Sequence, residues 1–118
     1  MSLEPKDTPQ GIVGFAFANA LVEGEYNVAF NMLSAQLQIE FTPLSLKEKF
    51  EYMVGYGCSD PDFVEVMSAE DDWYIKEALD IGWAYVAISG DGFGEAVTVV
   101  VTQEQSKHVI REIDWGRP

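Results

Sequence analysis

Few side chains in this sequence have the type and spacing to do chemistry. His108 is the one histidine and Cys58 the one cysteine. His108 has no cysteine or second histidine at ligand spacing, and a single cysteine offers no metal cluster, so no metal is expected. Cys58 could act as a nucleophile only if the fold brought His108 to it as a base. Gly90-Asp91-Gly92-Phe93-Gly94 has the composition of a phosphate-cradling loop, yet it leads into a strand-like run, whereas such loops open a helix. It is read as a hairpin turn, and no cofactor is expected. Glu70-Asp71-Asp72 lacks the alternating oxygen ligands and glycine of a calcium loop and is read as a solvated acidic loop. What remains is carboxylates on strand-like runs, Glu95, Glu112 and Asp114, and the aromatics Tyr26, Tyr52, Tyr56, Trp73, Trp83, Tyr85 and Trp115. Strand carboxylates mostly face solvent and aromatics mostly pack in cores.

The charge balance narrows the partners. Seven basic residues stand against 20 acidic ones, for a net charge of -13 over 118 residues. No basic residue falls between Lys49 and Lys76, while Glu51, Asp60, Asp62, Glu65, Glu70, Asp71 and Asp72 do. Such a surface repels phosphate backbones and anionic headgroups, which argues against nucleic acid and membrane. A basic protein is the better-matched partner, and plain solubility is the simpler use of the charge. A lone cysteine cannot close an intramolecular disulfide, which suits a reducing compartment. The apolar run from Ile12 to Val22 is too short to span a bilayer, and Glu4 and Asp7 outweigh Lys6 where a secretion signal needs positive charge. A cytoplasmic location is expected.

These residues need elements to hold them. The length suits one domain over residues 1–118, with a helical half at about 10–57 and a sheet at about 62–116. Pro9 precedes a helix running to Glu23, and Gly24 is a natural stop. Val13, Phe15, Phe17, Ala18, Ala20, Leu21 and Val22 cover most of its circumference, so burial on several sides is expected. Tyr26, Ala29, Phe30 and Leu33 give a second helix, opposite Asn27, Asn31 and Ser34. A third starts at Thr42-Pro43 or at a Ser45…Glu48 capping box, with Leu46, Phe50, Met53 and Val54 as its core stripe. Phe63 to Met67 alternates weakly. Trp83 to Ser89, Phe93 to Thr102 and His108 to Trp115 read as an antiparallel meander with a polar turn at Gln103 to Lys107. Val97, Val99 and Val101 share one face, and Ala96, Thr98 and Val100 the other. Both faces are largely apolar, so both should be covered.

The segments FANALVEGEYNVAFNMLS, TPLSLKEKFEYM and the closing IREIDWGRP resemble the nuclear transport factor two-like superfamily, which includes the SnoaL-like and ketosteroid-isomerase-like proteins of cystatin-like fold. The resemblance implies an α+β fold in which three N-terminal helices pack against a curled antiparallel sheet to form a cone. It leaves three uses open. The leading one is a non-enzymatic domain that dimerises through its sheet and holds a small apolar ligand or none. In that reading Tyr52 and Tyr56, four apart on a helix, and Trp83 and Tyr85, two apart on a strand, line the mouth of the cone as ligand-binding residues. The second is an acidic protein-binding module, like immunity proteins of this fold, that neutralises a basic partner. The third is a small isomerase or dehydratase, whose chemistry pairs an aspartate base with a tyrosine and a protonated acid. No residue here aligns onto that catalytic set.

Overall fold

The computed structural model describes residues 4–55, 61–91 and 93–116. A 3-10 turn at Pro5–Asp7 leads into α1 (Pro9–Val22), α2 (Tyr26–Asn31), α3 (Ala35–Glu40) and α4 (Pro43–Val54). Strands β1 (Phe63–Glu70), β2 (Asp80–Gly90), β3 (Phe93–Glu104) and β4 (Lys107–Trp115) follow. They pair antiparallel in chain order to make one sheet. The class is α+β, as expected, with four α-helices among the described residues rather than the expected three.

Local chemistry explains the helix ends. The Thr8 hydroxyl accepts the Gly11 amide at 3.0 Å, and Pro9 sits in the first turn, where its missing N–H costs nothing. At the other end Gly24 takes φ +76, and the amides of Glu25 and Gly24 bond back to the carbonyls of Ala20 and Leu21. This reversal satisfies the last turn and turns the chain into α2. For α4, Thr42 is the cap and Ser45 the third helical residue of its capping box, so the start falls at Pro43 rather than at Ser45. Leu46, Phe50 and Met53 are its buried stripe.

Two expectations are corrected. Ser34 was placed on the polar side of α2, but it is buried and caps α3, its hydroxyl accepting the Leu37 amide at 3.3 Å. Leu37 is the one buried residue of α3 and Ile39 is 79% exposed, so α3 left no apolar stripe to read. Helix α1 is not buried nearly all round either: Ile12 and Phe15 are 58% and 42% exposed, while Gln10, Gly11 and Gly14 are buried. Small residues bring this helix down onto the sheet. A methyl group at Gly14 would lie 3.1 Å from Ala84 Cβ and from Val86 Cγ2.

The core is the layer between α1, α4 and one sheet face. Phe17, Leu21 and Leu46 pack there with Ala84, Val86, Ile88, Val97, Val99, Val101 and Ile110, all fully buried. Each strand pair contains a register shift, at Val66/Ser68, Asp80/Gly82 and Val100/Val101. Such bulges bend strands and increase twist, which curls the sheet over the helices. The segment before α3 is stitched to β4, with Ser34 N–H donating to the Ile110 carbonyl at 2.7 Å and Ile110 N–H to that of Met32 at 2.9 Å. Among the described residues no helix is long and apolar enough to cross a membrane.

Candidate ligand-binding site

On the sheet face away from the helices, strand register sets side chains in two rows. One runs Ser68, Tyr85, Thr98, Asp114 across the four strands, and the next runs Glu70, Trp83, Val100, Glu112. The residues on β3 are short, those on β2 are large aromatics, and those on β4 are carboxylates. Thr98 and Val100 therefore form a low floor between taller walls. Since adjacent strands lie about 4.8 Å apart, the walls rise from backbones about 10 Å apart. Trp73 and Ile75, from the loop joining β1 to β2, close a third side. The cavity measures about 530 Å³, within the ordinary range for small-molecule sites.

The loop that brings Trp73 and Ile75 is anchored by charge. The Asp80 side chain is fully buried at the start of β2. It accepts Nε and Nη2 of Arg111, both at 2.7 Å, and the Glu77 amide at 2.8 Å. Burial alone would raise the pKa of Asp80, but the bonds from Arg111, Glu77 and Thr102 outweigh it and hold the carboxyl below its usual range. Arg111 is the extra residue of the β4 bulge, between partners Ile110 and Glu112. Its Nη1 also reaches Glu77 at 3.5 Å and Glu112 at 3.7 Å. The bond to Asp80, with the neighbouring carboxylates, raises its own pKa despite burial, so it stays charged. From the other side, the Gln10 amide donates to the Glu70 carbonyl at 3.2 Å. A Cβ at Gly82 would fall 2.5 Å from both of those groups, so only glycine fits there.

Of the four residues expected at one mouth, Trp83 and Tyr85 do share this cavity. Tyr52 does not join them. It is 91% exposed on α4, whose buried stripe faces the opposite side of the sheet. Tyr56 and Cys58 lie outside the described residues. Trp73, Ile75, Ser68, Thr98 and Val100 are lining residues that sequence reasoning did not assign, and Glu112 and Asp114 join them here. The usable signal was the alternation of β3, in which Thr98 and Val100 share a face. Its neighbours depend on register, which sequence does not fix.

His108 is exposed at the start of β4. Burial, with the charge of Glu51 adding to it, pushes the Tyr26 hydroxyl above its ordinary pKa, which makes it a weaker acid. Among the described residues no group of three or more His, Cys, Asp or Glu side chains gathers to hold a metal ion. Fold and site together define an α+β domain with helices on one sheet face and an aromatic, acid-edged cavity on the other. Comparison with protein-family models, with curated proteins and with solved structures returns no match.

Proposed function

We propose that the chain is a non-enzymatic binding domain of the nuclear transport factor two-like type, an α+β cone that holds a small ligand with an apolar body. The observation that carries this reading is the cavity of about 530 Å³ walled by Trp73, Trp83 and Tyr85. Rigid aromatic walls over a small-residue floor give a flat ligand large contact area at low entropic cost. The space between helices and sheet, where a cone could hold its ligand, is occupied here by Phe17, Leu21 and Leu46. The ligand therefore sits on the outer sheet face. The isomerase reading needs a carboxylic acid kept protonated by its surroundings, and the buried Asp80 is held ionised instead. Titration of intrinsic tryptophan fluorescence with a panel of aromatic fragments tests the reading. Saturable quenching that disappears in Trp83→Ala supports it, and no saturable binder in the panel refutes it.

A second reading has its own observation. Tyr74, Ile75 and Leu79 stand exposed on the loop beside the cavity, an apolar surface suited to a second copy of this chain. A homodimer through the outer sheet face would cover them. With -13 on each chain the contact would strengthen modestly with salt. Sedimentation at micromolar protein in low and moderate salt distinguishes a dimer from a sharp monomer.

A further inference from the structure

We infer that the outer-face cavity selects a small organic cation, an alkylammonium or quaternary ammonium head on a compact apolar body. This deepens the binding-domain reading and rests on it. Two features of the walls point the same way. Trp73, Trp83 and Tyr85 line the cavity, and the negative quadrupole of an aromatic face attracts a cation. Glu112 and Asp114 stand opposite across the Thr98–Val100 floor, so the second wall carries formal negative charge. Asp114 forms no ion pair among the described residues.

Arg111 is the cation that would argue against this, and the geometry neutralises it. Its Nε and Nη2 both donate to Asp80 at 2.7 Å, and its Nη1 is shared between Glu77 at 3.5 Å and Glu112 at 3.7 Å. Against that single positive charge stand Asp80, Glu77, Glu112 and Asp114. The surplus at the cavity edge is negative, and an anionic ligand would meet repulsion there. The ammonium of Lys76, on the same loop, is turned to the Asp71 backbone carbonyl. A neutral aromatic ligand would gain the stacking but leave Asp114 without a partner and Glu112 with only a share of Arg111 Nη1 at 3.7 Å. A strongly hydrated inorganic cation would gain the charge but not the π faces. An organic ammonium uses both, because its charge is spread over a weakly hydrated surface.

The test compares choline with 3,3-dimethylbutan-1-ol, which has the same shape without the charge, and adds benzyltrimethylammonium as a probe that fills more of the space. Binding is read by calorimetry or by tryptophan fluorescence on the full chain. Both cations should bind about tenfold or more tightly than the neutral isostere, and more weakly as salt rises. The double variant Glu112→Gln, Asp114→Asn keeps the side-chain shapes at exposed positions, so its melting temperature reports that folding is intact. It should lose most of the cation preference while leaving the affinity for the alcohol unchanged. Equal affinity for choline and its isostere would overturn the cation assignment while leaving a binding cavity in place. Failure of all three probes together with the fragment panel would overturn both.

Discussion

Replacing Gly14 with alanine sets two known effects against each other, and the structure decides between them. In a helix interior alanine is favoured over glycine by about 1 kcal/mol, through backbone entropy. At an exposed site Gly14→Ala would therefore stabilise. Here the new methyl would meet Ala84 Cβ at 3.1 Å, Val86 Cγ2 at 3.1 Å and Val99 Cγ2 at 3.3 Å. All three neighbours are fully buried. Ala84 Cβ moves only with its strand, and valines are stiff about χ1, so none yields easily. Overpacking a well-filled core costs about 1–3 kcal/mol, and the net should be a loss of about 1 kcal/mol. Urea denaturation followed by circular dichroism measures it, with an unchanged slope expected. Adding Val86→Ala removes one of the opposing methyls, so the double variant should lie at least about 0.5 kcal/mol above the sum of the single effects. A gain of about 1 kcal/mol from Gly14→Ala alone would refute the close seating of α1 on the sheet.

Phe17 is fully buried and packs its ring against Trp115, with centroids 6.4 Å apart. Phe17→Ala should cost about 3–5 kcal/mol by denaturation, and a loss below about 1 kcal/mol would make α1 peripheral. Because the folded-state pKa of Asp80 is depressed, its contribution is present above the unfolded value and is lost as pH falls through the folded one, below about pH 4. Asp80→Asn should cost about 3 kcal/mol at neutral pH, at the low end for a broken buried pair because Arg111 is partly exposed. It should also flatten the acid limb of the stability profile relative to the parent chain; superimposable acid limbs would show that Asp80 is not the titrating group. In the β3–β4 turn, Gln105 and Ser106 both have positive φ, 51° and 67°. Replacing them with Asn-Gly, which that turn prefers, should raise stability by about 0.5–1 kcal/mol in the same assay.

The strong patterns were legible and the weak ones were not. The ends of α1 announce themselves in Pro9 and Gly24, and the stripe Leu46, Phe50, Met53 carries a helical period over two turns. The alternation of β3 separates Val97, Val99 and Val101 from Ala96, Thr98 and Val100 by sequence alone, but which set faces the helices depends on packing, and Val97, Val99 and Val101 prove to be the set in the core. Helix α3 buries Leu37 but exposes Ile39, so it carries no apolar stripe. The burial of Gln10 and Gly14 in place of Phe15 reflects how closely a helix can approach a sheet, which depends on the residues opposite. The site shows the same division. Trp83 and Tyr85 share a face by period-two arithmetic alone. That Trp73 folds back onto them depends on the Asp80–Arg111 pair, whose partners lie far apart in the chain, with Arg111 placed by a bulge that no local signal marks. Tyr52 illustrates the converse: helical spacing places it on α4 and says nothing about the sheet beyond, from whose cavity it stands apart.

The outer face of β3 joins these observations. Apolar residues on both faces of a strand imply a cover on both sides, and a second chain is the obvious cover for the side without helices. Yet Ala96 and Val100 on that side are already buried, at 1% and 7% exposure within one chain. Part of the cover is intramolecular, supplied by the large aromatics of β2 and by a loop tied down through Asp80. Shortness, rather than hydrophobicity alone, is what matters at these β3 positions. Large side chains at 98 and 100 would fill the gap between Trp83 and Glu112 and make a flat face suited only to another sheet. Small ones leave a recess with aromatics along one side and carboxylates along the other. With Thr98 half-buried and Val100 buried, a floor shielded at its sides and open above suits a ligand better than a partner, and the exposed Tyr74 and Leu79 beside it leave a separate surface on which a second copy could still dock.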